Sequence, residues 1–141
     1  MRNNRYGPQA LSLLRIVAAL LFILHGTSKL SNFPPFPMAL PEAGTLLWFG
    51  ALIEVIGGAL VLIGLFSRPA AFIMSGEMAV AYWMFHAPQS PFPSVNQGEG
   101  AILYCFIFLL IAAAGPGPWS IDATRGRTVV RTEDSTGEPL P

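Results

Sequence analysis

Charge is scarce in this 141-residue chain. Asp, Glu, Lys and Arg together make up 11% of it, and 52% is hydrophobic. A soluble domain carries about a quarter charged residues. The eight basic and eight acidic side chains cancel, so the balance points to neither nucleic acid nor an acidic substrate. Cysteine is almost missing too. Cys105 stands alone, which excludes an internal disulfide framework and a C-x-x-C redox pair. The small four-helix membrane enzymes that pass disulfides to quinone need paired cysteines and are excluded with them. Cys105 sits in an apolar run and reads as a small buried hydrophobe. No flavin, haem or metal motif is present. The only histidines, His25 and His86, would both lie at outer span ends, a weak basis for bis-histidine haem. Met74, Met78 and Met84 share helical spacing and read as packing, so no metal is expected.

What the chain does have is apolar length. Mean hydropathy is +0.53, and the apolar residues come in blocks rather than stripes. Four blocks approach the roughly 20 residues that cross a hydrocarbon core of about 30 Å. They run from about Pro8 to Leu30, Pro41 to Phe66, Pro69 to His86 and Gln97 to Ala114. In lipid they must be helical, because no water is there to satisfy the backbone. Pro8, Pro41 and Pro69 suit first turns. Asn96 and Glu99 have capping-box spacing, and Gly115-Pro116-Gly117-Pro118 stops the last block. Arg15 interrupts the first block and no small-residue cleavage site follows, so it reads as a retained span. The expected fold is all-α: a four-helix transmembrane bundle of up-down topology.

Basic residues orient it. Arg2 and Arg5 precede the first span, Arg68 lies between spans two and three, and Arg125, Arg127 and Arg131 follow the fourth. The long loops Ser31–Leu40 and Ala87–Val95 contain no Lys or Arg. By the positive-inside rule both termini are cytoplasmic. The outer loops interleave Phe with Pro and read as stiff segments on the outer interface. Residues 1–122 form the membrane domain, and 123–141, polar and aperiodic, are expected to be a disordered cytoplasmic tail.

Against this background the ionisable residues inside the spans carry the functional signal. A carboxylate at mid-bilayer costs about 3 kcal/mol on insertion scales. Glu54 and Glu77 both sit there. Lys29 and Glu99 fall at the outer rim, His25 lies one turn below Lys29, and Arg15 lies toward the cytoplasmic side. Five of these six can share the outer half of one bundle interior. Each also has a plainer reading. Lys29 and Arg15 can snorkel, Glu99 can serve a cap with Asn96, His25 can be interfacial, and the two glutamates can be structural partners of Arg15 or Lys29. Gly50, Glu54 and Gly58 form a small-residue line that turns Glu54 inward.

Three stretches, taken together, resemble the DoxX family of small bacterial four-helix membrane proteins. They are Leu14-Arg15 with His25-Gly26-Thr27-Ser28-Lys29-Leu30, then Glu54-Val55-Ile56-Gly57-Gly58 leading to Ser67-Arg68-Pro69, and finally Asn96-Gln97-Gly98-Glu99 with Gly115-Pro116-Gly117-Pro118-Trp119. The resemblance implies a multi-pass protein of the bacterial inner membrane, a partner or subunit of a redox system, with Arg15, Lys29, Glu54, Asn96 and Glu99 as its marked polar positions. The first functional expectation is a quinone or similar small molecule bound in the outer half of the bundle. Lys29 or His25 would donate to a carbonyl, Glu54 or Glu77 would carry a proton, and Phe22, Tyr82 and Tyr104 would hold the ring. Two alternatives stay open. One is a non-catalytic membrane subunit or assembly partner of a quinone-linked oxidoreductase, and the other a small transporter or proton pathway. No covalent cofactor is implied. The expected contacts are the bilayer, a soluble or membrane redox partner and further copies of the chain, and no nucleic acid.

Overall fold

The computed structural model describes residues 6–132, with side chains to residue 126. Among these the chain is all-α. Its helices are α1 (Gly7–Ser31), α2 (Leu46–Ile63), α3 (Ser67–Ala81), α4 (Glu99–Ala114) and α5 (Ile121–Thr132). A π-helical turn over Tyr82–His86 continues α3. The lengths and compositions of α1 and α2 suffice to cross a membrane, and α4 is a shorter apolar helix.

Contacts between elements show neighbours running antiparallel. Arg15, early in α1, reaches Val61 near the end of α2, while Lys29, late in α1, meets Glu54. Arg68 at the start of α3 reaches the last turn of α4, and Ser75 bonds the carbonyl of Cys105. A core of Ala19, Phe22, Val61, Ala71, Met74, Phe108 and Ile111 fills the centre. Large apolar side chains face outward from every one of these helices, among them Leu13, Leu20, Ile56, Phe72, Leu103 and Phe106. In water that coat would be an aggregation liability, and in a bilayer it is the required surface.

Small residues set the helix spacing. A Cβ on Gly26 would lie 2.8 Å from the Ala51 carbonyl oxygen and 2.9 Å from Glu54 Cβ, so α1 and α2 touch almost backbone to backbone. Gly58 meets Ile23 of α1, and Gly57 meets Met74 of α3. These are the close approaches that small-residue lines allow.

At the end of the molecule carrying residues 64–68 and 112–122, side chains from elsewhere satisfy the helix termini. Arg68 donates to the carbonyls of Ala112 and Ala113, where α4 ends. Asp122 accepts from the Phe66 and Ser67 amides, where α3 begins, at 3.0 and 2.9 Å. Burial pushes the Asp122 carboxyl up, but those two N–H groups and nearby Arg125 outweigh it and hold it below the ordinary value.

Three expectations change. The second helix starts at Leu46 rather than Pro41, because Thr45 caps it by accepting from the Trp48 amide. Asn96 and Glu99 form no capping box. Asn96 is buried, its Oδ1 takes the Gly98 amide, and Glu99 is exposed. The segment expected to be disordered from residue 123 instead begins inside α5. Ser120 accepts from the Ala123 amide, and the Asp122 amide donates to the Gly64 carbonyl, which pins the start of α5 to the end of α2. Arg2, Arg5 and residues 133–141 lie outside the described residues.

Two stability outcomes follow. Gly26→Val should lower the unfolding free energy of the detergent-solubilised protein by about 1–3 kcal/mol through overpacking. Gly76→Ala, with nothing within 4 Å of the new Cβ, should be neutral or stabilising. Equal effects of the two would refute the close α1–α2 approach. Asp122→Ala should cost about 1–2 kcal/mol at pH 7, the size of a lost helix cap. Because folding lowers this carboxyl's pKa, its contribution is complete above the unfolded value of about 4 and fades as pH falls below it. The gap between wild type and Asp122→Ala should therefore narrow in acid.

Candidate functional site

A cavity of about 860 Å³ opens at the other end of the molecule. Its walls come from α1 (Phe22, His25, Lys29), α2 (Phe49, Gly50, Ile53, Glu54), α3 (Ile73, Glu77, Met78, Val80) and α4 (Gly100, Ala101, Tyr104). The loop residues Phe36, Pro37 and Met38 close one side, and Gln89, Asn96 and Gln97 another.

Its polar centre is an ion pair. Lys29 Nζ lies 2.6 Å from Glu54 Oε1, and Glu54 is 1% exposed. Burial of that carboxylate is tolerable only because the ammonium faces it. The second Glu54 oxygen, Oε2, has no protein partner, and neither has Oε2 of Glu77. Glu77 projects across the α2–α3 seam, with its Oε1 2.9 Å from where a Gly50 Cβ would stand. Glycine at position 50 is what leaves room for it.

Aromatic rings form the floor. Phe22 packs against Tyr104 at 5.3 Å and against Phe108 at 4.8 Å between ring centroids. His25 turns its ring edge-on to Tyr104 and bonds the Leu21 carbonyl through Nδ1. At the rim, His86 Nδ1 lies 3.0 Å from the Asn96 carbonyl oxygen, and Asn96 Nδ2 donates to the Ser90 carbonyl. The π-turn thus holds down the loop that borders the cavity. Tyr82 stacks on His86 and stands outside the lining.

Of the residues singled out in the sequence, His25, Lys29, Glu54, Glu77 and Asn96 meet in this cavity. Arg15 and Glu99 do not. Arg15 is fully buried elsewhere and donates to the carbonyls of Val61, Leu62, Pro116 and Trp119. It neither snorkels nor pairs with Glu54 or Glu77. Four carbonyl dipoles, two of them in the last turn of α2, hold its charge. In place of two glutamates shared between Arg15 and Lys29, the structure has one ion pair and one carbonyl cage. Sequence reasoning did not pick out Gln89, Gln97 or the Phe36–Met38 segment as wall residues. They sit in loops, where no periodicity signals a facing direction. Among the described residues no cluster of three His, Cys, Asp or Glu side chains could hold a metal ion.

Helices with lipid-facing coats around a buried ionic cavity define a multi-pass helical membrane protein. The chain belongs to the DoxX family, whose model matches residues 10–87. It is 41% identical over 130 residues to an uncharacterized protein of Haemophilus influenzae, covering 85% of this chain and 95% of that one. It is also 29% identical over 119 residues to the inner membrane protein YqjF of Escherichia coli, covering 77% and 85%. The chain is a protein of the bacterial inner membrane. No solved structure matches it.

The ion pair makes a direct test. Lys29→Met leaves the Glu54 carboxylate buried and unpaired and should destabilise the protein by about 3–5 kcal/mol. Glu54→Gln keeps the shape and one acceptor for Lys29 and should cost less. Adding Glu54→Gln to Lys29→Met should recover part of the loss. Additive losses in that cycle, measured by thermal unfolding in detergent, would show that the two side chains do not interact.

Proposed function

We propose that this protein is a four-span inner-membrane component of a redox-associated system, with both termini cytoplasmic, and that it binds a quinone or similar small molecule in the cavity around Lys29 and Glu54. The positive-inside distribution supports the orientation, since Arg68 and Arg125 fall at the end that carries Asp122, and the loops Ser31–Leu40 and Ala87–Val95 at the other end contain no Lys or Arg. The cavity then lies in the outer half of the bundle. The observation that carries the ligand reading is the buried Lys29–Glu54 pair with one carboxylate oxygen unpartnered at an aromatic floor. Ligand sites are mostly apolar, with a few converging polar groups, and this cavity has that make-up. Its volume falls within the usual 300–1,000 Å³ range for ligand pockets.

The chemistry available is hydrogen bonding and proton exchange. Lys29 uses one N–H on Glu54 and keeps two for an incoming oxygen. Glu54 and Glu77 lie within electrostatic range of each other, and a carboxyl there can accept or release the proton that accompanies electron transfer. Electrons would come from or pass to a partner, since the sequence carries no flavin, haem or metal motif.

Titration of the detergent-purified protein with a short-chain ubiquinone, read by native mass spectrometry and tryptophan fluorescence, tests the reading. Wild type should bind. Glu54→Gln should fold and insert but bind about tenfold or more weakly, because Lys29, the donor to the carbonyl, loses the carboxylate that holds its ammonium in place. Unchanged binding by Glu54→Gln, or no binding by wild type, rejects the reading. Loss of Glu54→Gln protein from the membrane together with a co-purifying partner would favour the subunit role instead.

A further inference from the structure

The cavity does not end at its polar centre. On the α2–α3 side its lining includes Phe49, Ile73 and Val80, which are 51%, 56% and 48% exposed. These side chains belong both to the cavity wall and to the lipid-facing coat. Toward the other end, the same two helices close on each other through Gly57 and Met74, where a Cβ would come within 2.9 Å of the sulfur. The seam is therefore shut at one end and open to the acyl region beside Glu77. A ligand occupying the cavity can leave an apolar tail in that opening without exposing it to water.

The head of such a ligand is constrained by what the polar centre still needs. Both partnerless buried atoms here, Glu54 Oε2 and Glu77 Oε2, are carboxyl oxygens. The carboxylate of Glu54, facing the Lys29 ammonium, offers only acceptors. The Glu77 carboxyl keeps an accepting oxygen in either protonation state. Buried acceptors left unmatched cost about 1–3 kcal/mol each, so a well-bound head must bring donors. A hydroxyl also accepts, and so can take a free N–H of Lys29 while donating to Glu54. An ether or carbonyl oxygen can only accept. Phe22 and Tyr104 offer ring faces and edges to a planar head.

Resting on the reading above, we infer that the cavity takes a tailed amphiphile from the bilayer, with a hydroxyl-bearing aryl head on Glu54, Glu77 and Lys29 and an alkyl tail leaving between α2 and α3 past Phe49, Ile73 and Val80. A head that brings hydroxyls should therefore bind more tightly than one that only accepts, such as an ether or a quinone.

A photolabelling experiment on the full chain in lipid nanodiscs tests both halves. The probe is a 4-alkylcatechol with a diazirine near the head end of its tail, and adducts are located by peptide mass spectrometry. Adducts should concentrate on Phe49, Ile73 or Val80. The dimethyl ether of the same probe should label the seam about tenfold less. Glu77→Leu should reduce catechol labelling to the ether level, with unfolding temperature monitored. Ile73→Trp, which fills the opening without touching the polar centre, should remove seam labelling in a folded protein. Labelling spread over the lipid faces of α1 and α4 overturns the tail route. Equal labelling by catechol and ether overturns the donor head. An alkylammonium probe that displaces the catechol more effectively than unlabelled alkylcatechol does would also overturn it. If ubiquinone binds in the titration above while the catechol does not, the quinone reading survives and this inference falls.

Discussion

A buried charge in a low-dielectric interior has to be neutralised by atoms already in place, and two such neutralisations organise this molecule. Lys29 faces Glu54 between α1 and α2, and Arg15 sits in four carbonyls at the other end of the same helix pair. Neither can relocate. Removing one member of an ion pair exposes the other to the full desolvation cost, and moving Arg15 would orphan the end of α2. Between them they fix the register of α1 on α2. Gly26 and Gly58 then determine how closely the two helices lie.

The two charges have opposite consequences for function. The guanidinium of Arg15 spends its donors on backbone carbonyls and points its bonding capacity inward. The Lys29–Glu54 pair is incomplete, with a carboxylate oxygen and two ammonium protons left over beside a cavity. One site is closed and serves the fold, and the other is open and can serve a ligand. Family membership and inner-membrane residence agree with a helical bundle whose coat is lipid.

Much of this was legible in the sequence because membrane burial leaves a coarse signal. Blocks of apolar residues gave helix positions, and Glu54 announced itself by its cost. The Gly50–Glu54–Gly58 line correctly turned it inward. What escaped was whatever depends on backbone carbonyls or loop paths. Arg15 could not be separated from the glutamates, since its partners are main-chain oxygens that no residue letter encodes. Asn96 looked like half of a cap when it is an inward-turned loop anchor, two roles that share one spacing. Asp122, the last residue of the expected membrane domain, carried no assigned task, although its carboxylate caps the start of a helix 55 residues earlier in the chain. The opening of α5 is ordered by contacts with the end of α2 that no local propensity reports.

The π-turn over Tyr82–His86 has one further consequence. Its wide loop, closed from the Ala87 amide to the Tyr82 carbonyl, holds one residue more than an α-helix would over the same hydrogen-bonded turn. Each residue of an α-helix advances the side-chain direction by about 100°. Everything beyond Tyr82 is therefore rotated by about that angle relative to a regular continuation of α3. That added residue lets the chain aim Glu77 and His86, nine positions apart, into the same space, with Gln89 of the following loop beside them on the cavity wall.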